Sequence, residues 1–459
     1  MSAAVAWLAS GIALPAAGAP LLLHPAFRPL GVACRAVLAA AAGAVVLSWT
    51  MTVLTIARVP WTVPLLVPLT AAQCFALRLA LGRRGPPVDG DVPRDRSVPL
   101  SAFERLGIVV CGGAVLAAFA AALAAAATSP DLLLFWGPKA EVFAAARRID
   151  DGFLGEPFLR YLHTSYPPLV TNLYAFATLA AGRLPWMAAV ATSPLLLGAC
   201  AMALPGILRR FAGRSEAIAA TAAIAACLGF LSHSLEIAGN ADMALLLFQI
   251  LAMALLLGPD VQRRPGQLLA GLLFAGAAAA KVEGLPFVLA AGALFLRTRR
   301  RNLAWPSAPV LLFAPAALSL GAWFVFGRRT YLFGWYEGYG RTLDIHWERL
   351  PLVLAGIGSA MWRAGAALAW LVPLAAWVVA RSRSRGSLSP VGLASVLSAF
   401  FVFTYLHGGQ DPTLWIQWSA GRIFMVLVPL LVLAAVSGPP ASDAAGSAGR
   451  KGKSPALPG

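Results

Sequence analysis

Six side chains able to move protons, hold anions or stack on a flat ring fall within one polar stretch: Asp131, Trp136, Lys139, Glu141, His163 and Tyr166. The stretch, residues 129–168, reads SPDLLLFWGPKAEVFAAARRIDDGFLGEPFLRYLHTSYPP in a chain that is otherwise mostly apolar. Carboxylates, imidazoles and phenols are general acids and bases, and an ammonium group is a point charge for an anion. Charge at the mouth of an apolar domain is costly and calls for a reason other than packing. Facing outward, such a stretch is a candidate active site for a lipid-borne substrate.

Three later pieces add to the set. They are Gly239-Asn240-Ala241-Asp242, Lys281-Val282-Glu283-Gly284 and Ser419-Ala420-Gly421-Arg422. Each candidate has a plainer alternative. Asp131 is otherwise a solvated carboxylate at a helix end, and Asp242 otherwise caps a helix. Glu283, two residues from Lys281, is otherwise its ion partner. His163 in a wet loop is otherwise idle, and Trp136 and Glu141 otherwise hold the loop at the interface.

The composition says what must position these groups. Of 459 residues 59% are hydrophobic and only 12% charged, with a mean hydropathy of +0.76. That is too apolar for a soluble domain and fits an all-α, polytopic integral membrane protein. The net charge of +17 raises the question of nucleic acid. Placing the arginine-rich loops in the cytoplasm puts 23 of the 36 basic residues but 7 of the 19 acids inside. The excess is thus topological, and nucleic acid is dropped as a partner. The five cysteines, Cys34, Cys74, Cys111, Cys200 and Cys227, lie in or beside apolar runs and read as small hydrophobes. No Cys/His spacing suits zinc, and no metal site is read from the residues.

Spans are expected near 3–23, 33–56 and 60–81, an N-terminal unit (1–82) followed by a cytoplasmic loop (83–104). A transmembrane domain covers 105–437, with the 129–168 loop after its first span (105–128). A Gly/Ser/Pro/Ala-rich tail, 438–459, is expected to be disordered. Three apolar segments, 166–182, 186–208 and 216–234, separate Asp131 from Asp242, and an odd number of crossings cannot leave both on one side. The first is the shortest and opens on Pro167-Pro168, so it is read as interfacial or half-inserted.

The run 267–296 has arginines at both ends and reads as a hairpin with its apex at 281–286. Its arms of ~14 residues reach only ~21 Å, which holds Lys281 and Glu283 in the outer half of the bilayer. Spans at 305–326, ending at Arg381, at 388–405, and from Ser419–Arg422 to about 437 complete about 13 crossings. In the first outer loop Pro138 opens a helix to about Ile149, whose Val142, Phe143, Ala146 and Ile149 form an apolar stripe laid flat on the membrane.

Asp131-Leu132-Leu133-Leu134-Phe135-Trp136-Gly137-Pro138-Lys139-Ala140, followed by His163-Thr164-Ser165-Tyr166-Pro167-Pro168-Leu169, resembles the first outer loop of membrane glycosyltransferases of the GT-C fold. The bacterial lipopolysaccharide-core sugar transferases are the nearest look-alikes; protein mannosyltransferases and aminoarabinose transferases are more distant ones. The three later pieces agree in order and place, so the resemblance covers roughly residues 105–436.

It implies a GT-C-like fold and an enzyme of the bacterial inner membrane with its site facing outward. Such an enzyme moves a sugar from a polyprenyl-phosphate donor to a glycan, lipid or protein acceptor, with inversion. Asp131 matches the catalytic carboxylate and would accept the proton of the attacking hydroxyl. Lys281, Arg422 and Lys139 would face the donor phosphate. Asp242, His163, Tyr166 and Glu283 would support them or the acceptor. The third outer loop adds Trp335, Tyr336, Tyr339 and Trp347, which stack on sugars or form an aromatic belt.

No cofactor is implied. The one pointer to a divalent cation is Asp242 in a second acidic role, as in the metal-using oligosaccharyl relatives. Protein mannosyltransferases carry an adjacent acidic pair where this chain has Asp131-Leu132, so an acidic dyad is not expected. A transporter or flippase for lipid-linked sugars is the main rival, although no internal repeat is evident and the intramembrane charges, Arg363 apart, are few and expected near the outer face. A non-catalytic scaffold is the other. Convergence of Asp131, Lys281 and Arg422 separates a catalytic reading from a scaffold, which has no need of it.

Overall fold

A computed structural model of the chain describes residues 3–82, 99–124, 129–156, 158–159, 166–234, 237–299, 307–329, 345–383, 389–407 and 411–437. His163, Trp335, Tyr336, Tyr339, most of the 83–104 loop and all of the 438–459 tail lie outside the described residues. Among the described residues there is no strand, only an isolated bridge between Ile345 and His407. Helices follow from the solvent: in lipid each backbone N–H and C=O must be satisfied within its own segment.

The first helices are α1 (Ala3–Leu22), α2 (Val32–Ile56) and α3 (Val63–Ala80), close to the three segments where spans are expected. α4 (Ala102–Ala124) precedes the 129–168 stretch, which holds α5 (Gly137–Ala146) and α6 (Asp151–Gly155). There follow α7 (Leu169–Ala181), α8 (Trp186–Val190), α9 (Thr192–Leu208), α10 (Arg214–Ser234) and α11 (Asp242–Leu257). The chain continues through α12 (Arg264–Ala280), α13 (Gly284–Arg299), α14 (Ser307–Arg329), α15 (Leu350–Arg383), α16 (Ser389–Leu406), α17 (Pro412–Phe424) and α18 (Leu427–Val436).

Seven helices among the described residues are long and apolar enough to cross a membrane: Val32–Ile56, Val63–Ala80, Ala102–Ala124, Trp186–Leu208, Arg214–His233, Ser307–Gly327 and Pro412–Val436. The chain is therefore all-α, with several helices built for a bilayer. The figure of thirteen crossings goes beyond these seven. Five shorter apolar helices accompany them, and at ~1.5 Å per residue each is shorter than a hydrocarbon layer of ~30 Å. α7 is one of these, at 13 residues.

α11 and α12 form the centre. Every residue from Asp242 to Leu256 and from Pro265 to Ala280 is buried, while α3 and α4 bury few of theirs. A helix apolar all round belongs either in a protein core or against lipid, and the two pairs divide along that line. The expected hairpin is present as α12 and α13 with the break at Lys281, whose backbone is extended (φ −152°, ψ 158°). Gly284 makes the turn feasible, because a Cβ there would sit 1.9 Å from the Ala277 carbonyl oxygen. The arms have 17 and 16 residues, longer than expected.

Three further expectations are corrected. α5 ends at Ala146, where Arg147 turns left-handed (φ 54°), rather than running to Ile149. Phe143 and Ile149 are buried in the core and α5 packs on α7, so the apolar stripe faces protein and not lipid. Trp136 is 2% exposed and does not anchor an interface. The last apolar segment starts at Pro412, capped by Asp411 through the Thr413 N–H, so Arg422 lies inside it rather than opening it.

Candidate active site

Arg422 ties the distant pieces together. Its Nη1 donates to Asp131 Oδ2 at 2.6 Å and lies 3.7 Å from Asp242 Oδ2. Asp242 Oδ1 in turn accepts from Lys281 Nζ at 2.8 Å, and Lys281 Nζ is 3.4 Å from Glu283 Oε1. Four of the expected groups, Asp131, Asp242, Lys281 and Arg422, thus form one unbroken chain of contacts, and Glu283 extends it. They come from the residue just before the Leu132–Trp136 turn, the start of α11, the α12–α13 break and the body of α17.

Local structure aims each group. Arg422 Nε donates to the Trp418 carbonyl one turn back, at 3.1 Å, which fixes the base of the guanidinium and leaves Nη1 to bridge the carboxylates. Ser419, also on α17, meets the Tyr405 hydroxyl of α16 at 2.8 Å. Asp131 is followed by a single π-helical turn, Leu132–Trp136, in which the Gly137 N–H donates to the Leu132 carbonyl. Such turns re-aim the residues beside them and recur at functional sites. A Cβ on Gly137 would meet the Trp186 ring at 2.3 Å, so only glycine permits this approach of the loop to α8.

Asp242 does not cap its helix by its side chain. The N-cap is Ala241, and the Asp242 N–H is satisfied by Asn240 Oδ1 at 3.0 Å. This frees the carboxylate for Lys281. The turn before it is pinned from three sides. Tyr174 of α7 donates to the Gly239 carbonyl at 2.7 Å, Ser193 of α9 donates to the Ile237 carbonyl and accepts from the Gly239 N–H, both at 3.0 Å, and Ser129 donates to the Ala238 carbonyl. Gly239 has φ +73°, a conformation that a side chain disfavours, and Leu132 lies over it. The Asp131 and Asp242 backbones are therefore registered against each other. Tyr174, Ser193 and Tyr405 are not among the expected site residues, since as single residues in apolar runs they carry no signal of their own, while Ser129 and Ser419 fall within the quoted pieces without a role assigned to them.

Lys139 is 3% exposed, with its Nζ 4.4 Å from the centre of the Trp136 ring. Burial pulls its ammonium down to about 7, and the charge of Asp131 opposes part of that fall. Tyr166 packs on the other partner of this layer, 6.0 Å from Trp136 between ring centres. Glu141 is exposed.

No protein-family model, curated protein or solved structure matches this chain. The chemistry is accordingly read from the cluster itself. Asp131, Asp242 and Glu283 against Lys281 and Arg422 carry a formal charge of −1 in a largely buried site, and each cation touches an anion. Asp242 Oδ2 and Glu283 Oε2 accept no hydrogen bond among the described residues. Among the described residues no group of three or more His, Cys, Asp or Glu is placed to hold a metal ion.

Such an arrangement offers two services at neighbouring points. One is a guanidinium and an ammonium for an anion. The other is a set of carboxylate oxygens for hydroxyl groups.

Proposed function

We propose that this chain is a membrane glycosyltransferase that takes a sugar from a polyprenyl-phosphate carrier and transfers it, with inversion, to a hydroxyl of an envelope glycan, lipid or protein. The observation that carries this reading is the contact chain Asp131–Arg422–Asp242–Lys281. It joins a carboxylate in the first outer loop to two cations from distant helices, and neither packing nor folding requires that combination, because buried ion pairs are rarely stabilising relative to apolar residues.

In the reaction the acceptor oxygen attacks the anomeric carbon from the side opposite the carrier phosphate. Its proton passes to Asp131. The carbon–oxygen bond to phosphate breaks with its electron pair going to the phosphate oxygen, whose charge Arg422 and Lys281 neutralise. A phosphate is already a good leaving group, so no general acid is needed. Asp242 holds the two cations in place when Arg422 turns from Asp131 to phosphate.

The proposed place is the bacterial inner membrane with the site outward, and the family is that of the GT-C enzymes, in line with the resemblance of the 129–168 stretch. Supporting the enzymatic reading over a transporter, five charged groups from four separate parts of the chain gather at one point. The test is mass spectrometry of envelope glycans and glycolipids from a deletion strain. A glycan lost on deletion, restored by wild type and not by Asp131→Asn is expected. An unchanged glycan profile, or full rescue by the variant, would overturn the proposal.

A further inference from the structure

We infer that the chain holds a second, separate binding site, for one anionic phospholipid, between α1, α3 and α7. A cavity of about 490 Å³ opens there, within the range of ligand sites, lined among others by Ala9, Ala13, Val63, Phe176, Leu179 and Arg147. Small residues of α1 make the room, and apolar ones make the walls. Arg147 is the one charged residue of the lining.

The basic rim is built from two apposed turns. The Trp61 N–H donates to the Arg147 carbonyl at 2.8 Å, and the Ile149 N–H donates to Thr55 Oγ1 at 3.1 Å. Arg58 lies on the first turn between Thr55 and Trp61, and Arg148 follows Arg147 on the second; all three arginines are exposed. Arg58 and Arg147 are the two non-glycine residues among those described with positive φ, at 59° and 54°. Asparagine or glycine fits that conformation at less cost, so two arginines at paired left-handed turns point to a use for their charge. The carboxylate nearest in sequence, Asp150, is engaged in capping α6 through the Phe153 N–H.

An apolar slot with Arg147 in its wall and two more exposed arginines on the apposed turns is complementary to one chain and the phosphate of an anionic lipid. The site is not the one described above. α5 separates them, with Lys139 near its first turn and Arg147 at its end, and its 10 residues span ~15 Å. The two sites are mechanically linked all the same. Trp61, on the cavity wall, meets Phe143 of α5 edge to face with ring centres 6.5 Å apart.

Nothing in this inference depends on transfer chemistry, and its test reads binding alone. The full chain, purified in a mild detergent, is titrated with phosphatidylglycerol or with phosphatidylcholine of the same acyl chains, and retained lipid is counted by native mass spectrometry. One phosphatidylglycerol per chain is expected, held at least tenfold more tightly than phosphatidylcholine. Arg147→Asn, chosen because asparagine tolerates the left-handed turn, is expected to erase that preference. Ala9→Leu with Ala13→Leu, which fills the slot, is expected to abolish retention of both lipids. Equal retention of the two lipids by wild type, or wild-type retention by both variants, would overturn the inference. Displacement of phosphatidylglycerol by an equimolar polyprenyl phosphate would assign the slot to the carrier instead and equally overturn it.

Discussion

Asp131 and Arg422, 291 positions apart in the chain, share a 2.6 Å hydrogen bond that joins the 129–168 stretch to the last apolar segment. In the proposed reaction this bond must open, because Arg422 is needed by the carrier phosphate and the Asp131 oxygen by the acceptor. Donor binding therefore precedes productive acceptor binding. Initial-rate kinetics on purified enzyme should show an ordered pattern with the lipid donor first.

Asp131→Asn keeps the shape of the carboxylate but removes the base. Transfer is expected to fall by ~10²- to 10⁴-fold. Donor binding, measured by retained lipid phosphate, should be kept or improved, since Arg422 loses a competitor. A fall in donor binding together with rate would instead mark Asp131 as a binding residue.

The Asp242–Lys281 pair behaves differently because it is more deeply buried, with side chains 5% and 7% exposed. Asp242→Asn leaves Lys281 with Glu283 alone, and Lys281→Met leaves Asp242 facing Arg422 at a distance. Each is expected to destabilise the protein by ~3 kcal/mol. Asp131→Asn, in a less buried pair that leaves Arg422 beside Asp242, should cost ~1 kcal/mol or less. Thermal unfolding in detergent compares the three.

Lys139 gives a pH signature. An unfolded lysine titrates near ~10.4, while burial lowers the folded group to about 7. Between those values the unfolded chain binds more protons, so stability should rise as pH increases from about 7 toward 10. Lys139→Met should be more stable than wild type at pH 7 and flatter in this window. Melting temperatures at several pH values decide it, and identical slopes would show that Lys139 is not held neutral.

Gly239→Ala tests the registration of the two acidic segments. The residue has φ +73° and an added Cβ would come within 2.7 Å of the Leu132 side chain. A loss of ~1–3 kcal/mol is expected from backbone strain, with a drop in rate, because Leu132 adjoins Asp131. Retained rate at reduced stability would separate the turn from the chemistry.

The charged members of the site are legible in the sequence because charge is scarce in apolar runs. Lys281 and Glu283 interrupt one such run at a Gly/Pro turn, and the structure puts the helix break there. The scaffold around them is less legible. Tyr174 and Ser193 anchor the Gly239 turn, yet nothing distinguishes them from other single polar residues in helices. The stripe on α5 shows that an apolar face alone does not reveal whether lipid or protein will cover it. In Gln410-Asp411-Pro412 the cap and first residue of α17 look like one more polar loop, which hid the helix that carries Arg422 into the bundle.

The most direct measurement is release of free polyprenyl phosphate from a polyprenyl-phosphate sugar in proteoliposomes holding wild type or Asp131→Asn, with an envelope lipid extract as acceptor. Acceptor-dependent release by wild type, slowed at least ~10²-fold in the variant, is predicted. Equal release by the two proteins, or none that depends on the wild-type protein, would contradict the account.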